Sequence, residues 1–210
     1  NPEAGEDNEE NKGALFLRAG WGGKASYKQT VKLPCAQYRV EYWSININPN
    51  TTSEATDLSK VTCRKDVFQE EGGSLSATEW TKHEFEFTPT SEFTIEFGYQ
   101  SANAGSSGQA YVFIDGIKLY KIGEADEEEL LQSDLLDMCE EVNAFMDNDT
   151  IAMFEGLIYE IGDYVMVAEG ASTVEEMTAA IADLKVYKAK IENLIPSIVE
   201  YSDLESKAMR

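Results

Sequence analysis

Carboxylates and a single histidine are the side chains of this 210-residue chain that could do acid–base chemistry. A glycosidase needs two carboxylates in different environments that face one pocket. Glu84, Glu86 and Glu96 alternate with apolar residues in two expected strands, so we expect them to project from one sheet face. His83 is the one residue that could be the pivot of a Ser-His-Asp triad. Because acidic residues are frequent throughout, a solvated sheet face and a histidine at a strand edge are the favoured interpretations, and no catalytic residues are assigned.

Tryptophans suggest a different chemistry, the recognition of a sugar. Carbohydrate sites combine an aromatic face with hydrogen-bonding side chains, because sugars present apolar C–H patches beside hydroxyls. Alternation places Trp43 on a mainly polar face, where it is a sugar platform, a residue packed under a loop or helix, or core reached through a bulge. Trp21 lies in a glycine-rich loop and either binds a ligand or plugs the domain. The candidate carbohydrate-binding residues are Trp21, Trp43, Arg18, Lys24, Tyr99, Gln100 and Asn103.

Seven stretches of the first half read as strands separated by turn-rich connections and no helix. That pattern predicts an antiparallel β-sandwich or jelly roll over residues 12–122. The expected strands are 14–19, 26–33, 38–47, 61–68, 82–88, 92–99 and 110–122.

The chain changes character near Gly123, where apolar residues begin to recur at helical spacing. Residues 123–210 are expected to form an acidic antiparallel three-helix bundle. A capping box at Ser172–Glu175 is expected to open the third helix, and Pro196 is expected to kink or end it near Ile195. Residues 1–11, with five acids and no base, are expected to be a solvated leader.

Charge excludes several partners. The chain has 39 acidic and 17 basic residues, a net charge of −22, so no basic surface is available for nucleic acid or an anionic membrane. It has no apolar run long enough to span a membrane. One histidine excludes a multi-histidine metal site. A disulfide between Cys35 and Cys63 and buried thiols are both open interpretations.

A resemblance joins these observations. Several short runs resemble the strand sequences of galactose-binding-like carbohydrate-binding modules and occur in the same order. They are Gly13–Arg18, Tyr27–Pro34, Tyr38–Val40, Trp80-Thr81 with Phe85–Pro89, and Val112–Tyr120. The chain resembles such a jelly-roll module followed by a small helical bundle, as in surface or secreted glycan-utilisation proteins of gut bacteria. The resemblance implies a structural calcium held by Asp115 and a secreted, periplasmic or cell-surface location in a Gram-negative bacterium.

Three functions are therefore weighed. The leading hypothesis is a non-catalytic module that stacks aromatic side chains on a glycan. The alternative is a structural or protein-docking module whose interaction surface is the acidic bundle. A hydrolase that uses the sheet glutamates ranks third.

Overall fold

The computed structural model describes residues 13–47, 55–63, 66–69, 74–75, 79–90, 92–102 and 109–208. The chain divides into two units, Asn1–Ala125 and Asp126–Arg210. The first contains two antiparallel sheets and the second contains three α-helices. This confirms the predicted fold class, an antiparallel β-sandwich followed by a helical bundle. The expected acidic leader, 1–11, lies outside the described residues.

Ten strands build the described part of the sandwich. They are β1 (Leu15–Gly20), β2 (Lys24–Lys32), β3 (Gln37–Asn46), β4 (Ala55–Asp57), β5 (Lys60–Cys63), β6 (Asp66–Gln69), β7 (Ser74–Leu75), β8 (Thr81–Phe87), β9 (Glu92–Ser101) and β10 (Gln109–Gly123). One sheet has the order β1-β10-β3-β8. The other sheet has six strands. In it β9 pairs with β2 along one side and with β5 and β4 along the other, and β5 pairs in turn with β6 and β4 with β7.

Alternating residues of both sheets form the sandwich core. Tyr38, Val40 and Tyr42 of β3 are buried, and they face the buried Phe93 and Phe97 of β9 within one apolar cluster. The intervening residues of each strand point outward, as a two-residue period requires. Outward-facing positions of either sheet are therefore where a ligand could reach side chains held on strands.

One strand prediction was wrong and two strands were missed. Residues 61–68 are not one strand but parts of the hairpin β5–β6, in which Cys63 pairs with Asp66. Strands β4 and β7 were not predicted, because they have three and two residues and are too short for a periodic signal.

The helical unit consists of α1 (Glu127–Asn143), a 3-10 helix (Ala144–Asp147), α2 (Glu155–Glu169) and α3 (Val174–Ala208). The Asp126 carboxylate caps α1 by accepting the backbone N–H groups of Glu128 and Glu129. The predicted apolar stripes meet in one core, which includes Leu135 of α1, Ile161 of α2 and Leu184 of α3.

The third helix differs from expectation at its start, and of the two outcomes expected at Pro196 it does not show the helix end. Helix α3 continues through Pro196 to Ala208. A proline removes one backbone hydrogen bond, and Ile195 and Ile198 on either side of it pack against the bundle core, which holds the helix together there. The capping box is formed one residue later than predicted: Thr173 Oγ1 accepts the Glu176 N–H, and the Glu176 carboxylate accepts the Thr173 N–H.

No disulfide joins the three cysteines, all of which lie in described segments. Within the described residues, no helix is long and apolar enough to cross a membrane.

Candidate functional site

A cluster of aromatic rings lies on the outer face of the four-stranded sheet. Phe16 pairs with Phe113 across β1 and β10, and Tyr111 lies two residues from Phe113 on the same face. The Phe16 ring stacks against both neighbours, with centroids 4.9 Å from Phe113 and 5.9 Å from Tyr111. Phe16 is 46% exposed, although most phenylalanines of this unit are in the core. We call Phe16, Tyr111, Phe113 and the adjoining Arg18 the β1–β10 aromatic face.

Arg18 supplies hydrogen-bond donors to this face. Its guanidinium lies over the Tyr111 ring, 5.3 Å from the centroid, and the two residues are register partners. Arg18 is exposed and forms no ion pair within the part of the chain that the structure describes. The Tyr111 hydroxyl donates to Gln109 Oε1 at 2.7 Å, which fixes the ring from its far end. The face thus combines rigid rings with an available donor fork.

Trp43 extends the same surface toward the next strands. It is half-buried, pairs with Asp115 of β10 and with Lys82 of β8, and faces outward as predicted. Ile45, two residues further along β3, pairs with Phe113 and is only 6% exposed. Trp43 therefore lies on the same sheet face as Phe113, two register positions away from it.

Trp21 stands at the end of β1 on a tight turn. Gly23 N–H donates to Gly20 O at 2.9 Å, and both central residues have positive φ, 48° for Trp21 and 73° for Gly22. A bulky residue in this region is uncommon and strained. Gly22 N–H donates to Ala102 O and Ser101 N–H to Gly23 O, which anchor the turn to β9. The indole is nevertheless 64% exposed, so its strained backbone is not explained by burial.

The other proposed binding residues do not join this surface. Lys24 and Gln100 are register partners on the six-stranded sheet, outside the core. Gln100 Nε2 donates to Gly22 O at 3.0 Å, so it supports the Trp21 turn. Tyr99 was a wrong choice as a stacking residue, because it is 1% exposed and part of the sandwich core. Asn103 lies outside the described residues.

Asp115 has a local role in the strand. Its Oδ1 accepts the Gly116 N–H at 2.7 Å, at the irregularity where the β3–β10 register shifts and Gly116 has φ 62°. Calcium takes six to eight oxygen ligands. Among the described residues, no group of three or more His, Cys, Asp or Glu side chains is placed so that it could hold a metal ion. The Asp115 calcium site stays a prediction.

The three sheet glutamates do not share a face. Glu84 and Glu86 lie on β8 of the four-stranded sheet, whereas Glu96 lies on β9 of the other sheet. Glu96 is paired with Lys28 at 3.1 Å and with Lys60 at 3.6 Å. Burial favours the protonated form of Glu96, but hydrogen bonds from Lys28 and Ser26 and the two lysine charges outweigh it and lower the pKa. The expectation of one shared carboxylate face was wrong.

His83 is not at a strand edge but inside the sandwich, on the same strand face as Phe85 and Phe87. Its Nε2 lies 2.9 Å from Ser44 Oγ, and its Nδ1 lies 3.3 Å from Asp57 Oδ2. These are the three residue types of an acyl-transfer triad. Ser44 is 0% exposed, so its hydroxyl cannot meet a substrate in this conformation.

The same carboxylate organises a buried polar network. Asp57 accepts the Ser59 N–H at 2.7 Å and the Tyr42 hydroxyl at 3.3 Å, and the Tyr42 ring stacks on His83 at 4.7 Å. Burial, followed by neighbouring charge that includes Asp57, raises the pKa of both Tyr42 and Tyr99. We interpret Ser44, His83 and Asp57 as core polar groups that satisfy one another. The burial of His83 could have been predicted from the sequence, because His83 lies two residues before Phe85 and so shares its strand face.

Several solved structures that are similar to the sandwich are carbohydrate-binding modules. No protein-family model and no curated protein matches the chain. Its sandwich is similar to a family 61 carbohydrate-binding module solved with beta-1,4-galactotriose, at 19% identity and a TM-score of 0.40 over 57% of this chain and 77% of that one. It is also similar to a family 16 carbohydrate-binding module, at 19% identity and a TM-score of 0.30 over 50% of this chain and 74% of that one. A third similar structure is the CBM22-1 xylan-binding domain of Paenibacillus barcinonensis Xyn10C, at 11% identity and a TM-score of 0.35 over 57% of this chain and 79% of that one.

Proposed function

We propose that this chain is a non-catalytic carbohydrate-binding module that uses the β1–β10 aromatic face to stack on sugar rings. The observation that carries the proposal is the outward cluster of Phe16, Tyr111 and Phe113 on ordered strands, with the Arg18 guanidinium beside it. Aromatic rings cover the C–H face of a sugar, and the guanidinium donates to its hydroxyls. A solvated sheet face would not need three contiguous rings.

Trp21 belongs to the same proposed site. Gly20 pairs with Gln109, and Arg18 with Tyr111, so Trp21 follows directly on the end of the aromatic face. Trp21 is the third residue after Arg18, which is at most about 11 Å of chain. An oligosaccharide lying along β1 would therefore reach both. Trp43 borders the opposite end of the surface. A location outside the cytoplasm, where polysaccharides are met, is part of this proposal.

A glycan array tests the proposal in the presence of calcium and of EDTA. The wild-type chain should bind at least one oligosaccharide or polysaccharide, and Phe16→Ala and Trp21→Ala should each weaken that signal. Tyr27→Ala is the matched control, because Tyr27 is an aromatic of β2 with 47% exposure, close to the 46% of Phe16, but on the other sheet. A blank array, or equal losses in all three variants, would contradict the proposal.

A protein-docking role for the acidic bundle is the second candidate function. It is favoured by an open groove between α2 and α3, which is independent of the sugar site and is developed below.

A further inference from the structure

The helical unit has a groove between α2 and α3, next to the turn that joins them. Its volume is about 400 Å³. Buried Ala168 and Leu184 lie at its floor, and Ala179 and Ala180 of α3 line one side. Larger side chains at these alanine positions would fill the groove. The groove is therefore shaped by small residues on both helices.

Exposed apolar side chains form the opposite wall. Val167 is 75% exposed and Tyr164 is 44% exposed, both on α2. The Tyr164 ring is held in place by stacking on Tyr187 of α3, with centroids 4.0 Å apart and planes 7° from parallel. A fixed ring and an unburied valine beside a gap lose little conformational entropy when a partner covers them.

The rim of the groove is acidic. Glu176 and Asp183 of α3 border it, and none of its lining residues is basic. Asp183 is exposed and forms no ion pair within the described residues. The Glu176 carboxylate accepts the N–H groups of Ser172 and Thr173, which lower its pKa and keep it charged. Residues 124–210 as a whole have 22 acidic and 5 basic side chains, so the field around the groove is negative.

We propose that this groove binds an amphipathic helix of a partner protein, with an apolar stripe flanked by lysine or arginine. The apolar stripe would cover Val167 and Tyr164, and the basic flanks would face Glu176 and Asp183. From Glu176 to Leu184, α3 rises about 12 Å, which matches two to three turns of the incoming helix. A second copy of this chain fits poorly, because its own helices would bring like charges to the rim. This site is separate from the proposed sugar site.

The test uses the full chain and a fluorescent synthetic peptide of about 12 residues, long enough for three turns. The peptide has leucines at helical i, i+3, i+4 and i+7 positions and lysines between them. The control peptide has the same composition in scrambled order. Fluorescence anisotropy should show binding of the patterned peptide that weakens as salt is raised. Equal affinity for the scrambled peptide, or no binding of the patterned one, would overturn the proposal.

Variants locate the binding on the chain. Val167→Asp and Asp183→Lys should each weaken peptide binding by about tenfold or more. The matched controls are Val186→Asp and Glu200→Lys, exposed positions of α3 outside the groove lining, which should leave the affinity within about twofold. Equal losses in the controls would mean non-specific attraction to an acidic surface. Sedimentation velocity that showed self-association abolished by Val167→Asp would assign the groove to a second copy and overturn the partner proposed here.

Discussion

Replacing Asp57 by alanine should strongly destabilise the sandwich. The Asp57 carboxylate accepts three hydrogen bonds from buried or half-buried donors: the Ser59 N–H, the Tyr42 hydroxyl and, when Nδ1 carries the proton, His83. Its deletion leaves these groups without their acceptor and opens a small cavity. An unsatisfied buried donor costs about 1–3 kcal/mol. His83 can avoid this cost by moving its proton from Nδ1 to Nε2. With the Ser59 N–H and the Tyr42 hydroxyl left without an acceptor, we therefore expect a loss of about 2–6 kcal/mol in the free energy of unfolding.

Tryptophan fluorescence is the right assay, because Trp21, Trp43 and Trp80 all belong to the first unit and the helical unit has no tryptophan. Urea titrations of the wild type and of Asp57→Ala should show a large drop in the midpoint of the fluorescence transition. Helical circular dichroism should change little. Thr56→Ala is the control, because Thr56 precedes Asp57 in β4 with its side chain exposed, and its effect should be about 0.5 kcal/mol or less. A loss below about 1 kcal/mol for Asp57→Ala would refute the network argument.

Four further predictions concern pH, a turn, a cap and a metal. The folded-state pKa of Tyr42 and of Tyr99 is raised, so the stability that their neutral forms support is fully present below about pH 10. Above pH 10 the free energy of unfolding should fall by up to about 1.4 kcal/mol per pH unit for each tyrosine. Urea midpoints followed by fluorescence that stayed constant above pH 10 would contradict this. Trp21→Gly relieves a positive φ and should leave the melting temperature unchanged or raised while sugar binding falls; a clear drop in melting temperature would argue against strain at this turn. Thr173→Ala removes the α3 cap and should cost about 1 kcal/mol in helix-monitored unfolding, with no such cost in Thr56→Ala. If Asp115 holds calcium, EDTA should lower the melting temperature of the wild type but not of Asp115→Ala, and equal curves would remove the calcium proposal.

Periodicity made the fold predictable where elements were long. The alternation in Tyr38–Tyr42 and Phe93–Phe97 identifies core strands because a two-residue period separates buried from exposed side chains. The helical stripes were equally informative, since Leu135, Ile161 and Leu184 do meet in the bundle core. Short elements were not predictable: β7 has two residues, Ser74 and Leu75, and pairs with β4 through contacts that are far apart in sequence.

The candidate site was only partly predictable. Outward parity correctly placed Trp43, and the glycine-rich loop correctly left Trp21 exposed. Phe16 was missed, because a phenylalanine in a strand is usually core, and only the β1–β10 register brings it beside Tyr111. Tyr99 was chosen for its type, although it shares the parity of the buried Phe97. The sequence of one strand does not show which side chains of other strands it faces. For the same reason the network of Ser44, His83 and Asp57, which come from three strands, was not expected.

The most direct test of the central claim is a calorimetric titration of a glycan that the wild type binds, run on Phe16→Ala and Tyr27→Ala in parallel. These substitutions remove aromatic side chains of nearly equal exposure from opposite sheets. Stacking of one ring contributes about 0.5–1.5 kcal/mol, so Phe16→Ala should weaken binding by about two- to tenfold, with Tyr27→Ala unchanged and both variants folded. Wild-type affinity in Phe16→Ala, or a loss confined to Tyr27→Ala, would contradict sugar binding at the β1–β10 aromatic face.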